Sequence, residues 1–190
     1  MANEAAAESP RFERATEYVR RRSAEAIARV PASTVSAAVE RLLRAPSVFV
    51  YGAGRSGIIG RAFAMRLVQI GRSAYVIGES VTPIVRSGDT VVILSGAGES
   101  YSSIQTANIV RREGAELLVL TARRGSKIAH AASLLVPFEF PEEPDRPVLA
   151  PLGTLFESAA FQFLDGLVAE MMRARGETEE SMRRRHAIMV

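Results

Sequence analysis

Hydrophobic positions along the chain change their spacing twice. From about Pro10 to Val30, Phe12, Ala15, Val19 and Ala26 recur at the intervals of one amphipathic helix, preceded by a small, polar stretch at 1–9. Pro31 interrupts the pattern. Ser33 or Thr34 can cap a new start, and Val35, Val39, Leu42 and Leu43 predict a second helix that Pro46 closes. From Val48 the helical spacing gives way to short β-branched runs at 48–51, 74–77, 90–94, 117–121 and 134–138. These runs are apolar on consecutive positions, as parallel strands covered on both faces are. Between them lie a strong helical stretch at about 57–70 (Ile58, Ala62, Phe63, Leu67, Ile70), another at 101–113 and a short one at 126–132. The order predicts an α/β fold, a three-layer α/β/α sandwich around a five-stranded parallel sheet.

Pro141, Pro144, Pro147 and Pro151 make 139–153 an extended connector. Beyond it, Leu155, Phe156, Ala159, Phe163, Leu167 and Met171 predict a helix over about 154–174, ended by Gly176; Glu177 to Arg185 reads as a charged terminal helix or tail. With Phe161, Leu164 and Met172, that helix carries more apolar surface than one sheet face covers, so part of it is expected between subunits of a homo-oligomer. The expected organisation is a single domain over 1–190: N-terminal helices at 1–47, an α/β core at 48–138, and the connector with C-terminal helices at 139–190.

Composition narrows the chemistry. The 190 residues are 47% hydrophobic and 24% charged, ordinary values for one globular domain. With no Cys, and only His130 and His186 as imidazoles, disulfide scaffolds, thiolate zinc sites and a cysteine nucleophile are excluded, and no metal is expected. Aliphatic runs fall far short of the ~20 residues a spanning helix needs, and Met1 to Pro10 lacks the basic-then-apolar order of a signal peptide. A cytoplasmic protein without a membrane partner is expected. The 24 Lys+Arg against 21 Asp+Glu are interspersed, as in Glu13-Arg14 and Glu40-Arg41, so no phosphate-tracking stripe forms and no nucleic-acid partner is expected.

Two loops can carry chemistry. Gly52-Ala53-Gly54-Arg55-Ser56-Gly57 follows the first strand and opens a helix, where backbone N–H groups and the helix dipole face an anion. It also spells G-x-G-x-x-G, with Glu79 after the second strand near the place of a ribose-binding acid, which admits a nicotinamide-dependent reading. Ser95-Gly96-Ala97-Gly98-Glu99-Ser100 lies likewise between a strand and a helix. Two such loops can converge on one small phosphate through Ser56, Ser95, Ser100 and the glycines Gly54, Gly96 and Gly98, without a metal or other cofactor. Alternatively Ser56 and Ser100 are plain N-caps and the glycines only make turns. Arg55 can counter a phosphate or cap its own loop, and Glu79 can bind sugar hydroxyls or end a strand.

Through Val50 to Leu67, Gly78 to Pro83, Ser95 to Ser100, Pro151 to Glu157 and the terminal Arg185-His186, residues 48–190 resemble sugar isomerase (SIS) domains, and within them the 6-phospho-3-hexuloisomerase branch. Ala97 and Ser100 depart from the Ser and Thr common there. The resemblance implies interconversion of D-arabino-3-hexulose 6-phosphate and fructose 6-phosphate through a 2,3-enediol, the second step of the ribulose monophosphate route. It implies no cofactor, a homotetramer, and functional pairing with 3-hexulose-6-phosphate synthase. Glu157 becomes the carbon acid/base, against the alternative of a helix-start acid that complements the dipole. His186, otherwise a solvated tail histidine, enters the site of a neighbouring subunit. His130 reads as structural. The competing expectations are a phosphosugar-sensing SIS module, for which the first 45 residues offer no basic helix-turn-helix unit, and an isomerase of another sugar phosphate.

Overall fold

A computed structural model of the chain describes residues 10–187, so the polar stretch 1–9 lies outside the described residues. Its strands are β1 (Val48–Gly52), β2 (Ala74–Val76), β3 (Thr90–Leu94), β4 (Glu116–Thr121) and β5 (Leu134–Pro137), all parallel, in the order β2-β1-β3-β4-β5. The consecutive apolar runs are explained by the two faces. Val48, Val50, Val92, Leu94, Leu118, Leu120 and Val136 point to one core, while Phe49, Val91, Ile93, Leu117 and Val119 point to the other.

The first core is covered by α2 (Ala32–Arg44), α3 (Arg55–Gln69) and α7 (Thr154–Arg175); the second by α4 (Tyr101–Arg112) and the short α5 (Lys127–Ala131). The expected three-layer sandwich is therefore present. α1 (Arg11–Ala28) lies against α7 and the short α6 (Arg146–Leu149), a turn of helix inside the proline-rich connector that its composition did not announce. There the Tyr18 hydroxyl donates to Glu143 at 2.6 Å, and Arg22 pairs with the same carboxylate. α1 thus braces the connector that leads into α7. Among the described residues no helix is long and apolar enough to cross a membrane.

Several expected inward positions differ. On α1 the buried stripe is Tyr18, Ser23 and Ala26, while Phe12 is 77% exposed. On α3, which begins at Arg55 rather than 57, Ile59, Phe63 and Leu67 are buried and Ile58 faces outward. Neither Ser33 nor Thr34 caps α2; Pro31 occupies the N-cap position, its missing N–H costing nothing there. The apolar surface of α7 is also mostly used within the chain. Phe156, Phe163, Leu164, Leu167 and Met171 are buried because α7 lies between α1, α2 and α3, which leaves Phe161 as its exposed large apolar residue.

Candidate active site

The strand order reverses between β1 and β3, so the loops leaving their carboxyl ends border the crevice in which open α/β sheets bind ligands. These are the two glycine-rich loops. In the first, the chain folds back on itself so tightly that a Cβ on Gly57 would stand 2.4 Å from the Gly52 carbonyl oxygen, and Gly54 has φ +57°. The loop closes because those positions carry no side chain. Ser56 falls inside the first turn of α3, and no side chain caps that helix, so the N-cap reading of Ser56 is excluded.

The second loop is tied to the end of β4. The N–H of Ala122 and the hydroxyl of Thr121 both donate to the Gly96 carbonyl, at 3.0 and 3.3 Å. A Cβ on Gly98, at φ +68°, would overlap the Ser126 hydroxyl at 2.1 Å. Ser100 stands in the N-cap position of α4, yet its hydroxyl caps nothing and lies 3.0 Å from that of Ser102. Ser95 is buried at the end of β3. Among the described residues no hydrogen bond engages the Ser56 or Ser95 hydroxyl. The first turns of α3 and α4 thus present N–H groups that no side chain caps, with the Ser56 hydroxyl unengaged and the Ser100 hydroxyl paired only with that of Ser102, which suits a bound anion.

The start of α7 completes the crevice. Phe156 packs so closely on the second loop that a Cβ on Gly96 would meet its ring at 2.9 Å. One residue on, Glu157 is only 12% exposed in its side chain, and its Oε2 accepts an ion pair from Arg55 Nε at 2.7 Å. Its other oxygen lies against Gly153, where a Cβ would stand 2.9 Å away. Arg55 is therefore engaged by Glu157 rather than by its own loop. Arg55 at the start of α3 and the largely buried Glu157 at the start of α7 thus meet in an ion pair, while Phe156 beside it packs on the second loop.

Beside the second loop a cavity of about 420 Å³ opens over the ends of β3 and β4. Gly96, Ala97, Arg123, Glu142, Arg146 and Phe156 are among its lining residues. No motif marks Arg123 or Arg146 in the sequence, although Thr121-Ala122-Arg123 leaves its strand at the same sheet edge as the two loops.

Other expected site residues lie apart. Glu79, in the turn after β2, pairs with Arg61 on the second turn of α3. His130 Nδ1 donates to the Ser126 carbonyl at 2.8 Å, in keeping with a structural role. His186 follows α8 (Glu179–Arg184) and, with Arg66 and Gln69, lines a shallow groove at the far end of α3. At 1.5 Å of rise per residue, that is roughly 20 Å from Arg55 and Glu157.

The C-terminal segment is held there by a clasp. Arg185 donates to both oxygens of Glu177 (2.8 and 3.1 Å) and to the Gln69 carbonyl (3.2 Å). Arg185, then the Ser181 hydroxyl, hold the Glu177 carboxyl down to about 2 from an ordinary 4.5. A depressed folded value means that the clasp stabilises above the unfolded value and is lost as pH falls through the folded one. Amide exchange over 179–186 should stay protected at neutral pH and lose that protection only between about pH 4.5 and 2. Glu177→Gln should lose it at neutral pH.

A SIS domain model matches residues 41–152. The chain is 36% identical over 141 residues to 3-hexulose-6-phosphate isomerase of Methylomonas aminofaciens, covering 73% of this chain and 78% of that one. It is 34% identical over 154 residues to the enzyme of the same name from Bacillus subtilis, covering 78% and 82%. A Methanococcus jannaschii crystal structure, from which the function of 3-hexulose-6-phosphate isomerase was inferred, superposes with TM-score 0.77 at 30% identity, over 83% of this chain and 86% of that one.

Proposed function

The chain belongs to the SIS domain family, and from that premise we infer that it is a 3-hexulose-6-phosphate isomerase, interconverting D-arabino-3-hexulose 6-phosphate and fructose 6-phosphate. The observation that supports the residue assignment is the largely buried Glu157, ion-paired with Arg55 at the uncapped start of α3 and preceded by Phe156, which packs on the second loop. Ser56, Ser95, Ser100 and the N–H groups of Gly54 and Gly96 hold the phosphate, with Gly98, whose N–H donates to the Ser95 carbonyl at 3.1 Å, shaping the second loop around it. Moving the carbonyl from C3 to C2 requires a proton to leave C2 and one to arrive at C3. Glu157 takes the C2 proton, the C2–H electron pair forms the C2=C3 bond of a 2,3-enediol, and O3 gains a proton. Loss of the O2 proton then forms the C2 carbonyl, and Glu157 returns its proton to C3. No electrons leave the substrate. Arg55 keeps the carboxylate in place, and Glu79 stands at the neighbouring strand end, within the class of residues that bind sugar hydroxyls.

The O2 and O3 proton transfers fall to His186 of the partner subunit. Ile58, Met65 and Val68 form an exposed apolar line along α3, with Phe161 of α7 nearby. A contact along this line about a two-fold axis perpendicular to α3 sets its two copies antiparallel. The far end of one α3, with its His186, then lies beside the near end of the other, with its Glu157. This supports a homo-oligomer with shared sites; a tetramer, a cytoplasmic location and work alongside a hexulose phosphate synthase in the ribulose monophosphate route complete the reading, with residues 1–190 as one functional unit.

The test is formation of fructose 6-phosphate from hexulose 6-phosphate generated in situ. No product sinks the reading. Chains carrying His186→Ala and chains carrying Glu157→Gln, each inactive alone, should regain up to about a quarter of the activity on mixing when subunits exchange at random. Light scattering that reports a 20.5 kDa monomer would exclude the shared site.

A further inference from the structure

A sugar phosphate brings about two negative charges, and the loops described so far offer it dipoles without a free cation. Arg55 is engaged by Glu157, and Arg61 by Glu79. Hydrogen bonds from an ionised donor are roughly twice as strong as neutral ones, so a cation near the second loop would change affinity markedly. The cavity beside that loop supplies one.

Arg123 lines this cavity together with Gly96 and Ala97. Its backbone is fixed against the loop: its N–H donates to Thr121 Oγ1 at 3.3 Å, and its carbonyl accepts from the Ser126 hydroxyl at 2.8 Å. That same hydroxyl occupies the space beside Gly98. The neighbouring Arg124 is neutralised by Glu139, whereas the Arg123 guanidinium has no hydrogen bond or ion pair among the described residues. Arg146, on the same wall, donates to the Leu152 carbonyl at 3.4 Å, and Glu142 is the one carboxylate in the lining, so the wall is net positive.

We propose that Arg123 is a phosphate-binding residue of this site, reaching from the cavity wall to the anion held at 95–100. The assignment rests on reading that loop as the phosphate site. Arg123 contacts the non-reacting end of the substrate, so its loss falls on binding more than on the chemical step.

Inorganic phosphate is the direct probe, followed by thermal stabilisation of the folded protein, with hexulose 6-phosphate kinetics alongside. Arg123→Gln should weaken phosphate binding about 10- to 100-fold and raise KM by a similar factor, with kcat lowered far less. Arg123→Lys keeps the charge and should stay within about tenfold of wild type. Arg146→Gln should act more weakly than Arg123→Gln. Phosphate binding unchanged in Arg123→Gln, no phosphate binding by the wild type, or loss only in Arg146→Gln overturns the proposal. If phosphate binding depends on Arg123 while hexulose 6-phosphate is not turned over, the isomerase reading falls and the anion site stands.

Discussion

Glu157→Gln should reduce turnover of hexulose 6-phosphate by roughly 10²- to 10⁴-fold, the usual range for losing a general base. The variant keeps nearly the same shape, and its amide oxygen can still accept from Arg55, whose Nε lies 2.7 Å from Oε2 in the native chain. It cannot accept a proton from carbon. Inorganic phosphate should bind as before, because on the proposed assignment the anion rests on the loops at 52–57 and 95–100 and on Arg123 rather than on Glu157. In D2O the native enzyme should place deuterium at C3 of fructose 6-phosphate to the extent that the carboxyl proton exchanges before its return. A hydride shift would place none there. Turnover close to wild type would leave Glu157 as the acid that complements the α7 dipole, and Glu79 or Glu99 as the next candidate bases.

The second large effect is on the backbone. Gly57→Ala would set a Cβ 2.4 Å from the Gly52 carbonyl oxygen, and the neighbouring atoms are backbone rather than the end of a flexible side chain. No rotamer relieves the overlap, so the first loop must open. The cost is expected at about 3 kcal/mol, the upper part of the range for overpacking. For a domain of this size it corresponds to a fall in Tm of roughly 6–12 °C. Phosphate affinity should fall with it, since the first turn of α3 moves away from the crevice. Gly125→Ala is the control, because nothing lies within 4 Å of its added Cβ and the two variants share the same change in composition. Equal melting temperatures for the two would show that the 52–57 loop tolerates a side chain.

The strands and the two loops were legible in the sequence because both signals are local. A run such as Val91-Val92-Ile93-Leu94 is apolar on consecutive positions whatever it pairs with, and a glycine-rich turn between a strand and a helix marks a helix N-terminus. Resemblance added Glu157 and His186. Which side of a helix faces inward was less legible: α1 and α3 have apolar residues on more than one side, and Phe12 and Ile58 turned outward. That choice depends on where α6, α7 and the sheet stand. Only the tertiary structure set β1 beside β3, so that loops separated by a strand and a long turn face one crevice. It alone paired Arg55 with Glu157, left Arg123 unpaired among the described residues beside Gly96 and Ala97, and placed His186 at the opposite end of α3 from the carboxylate. Periodicity records how each segment divides between core and solvent, whereas these pairings join residues far apart in the chain and follow from how the segments pack on one another.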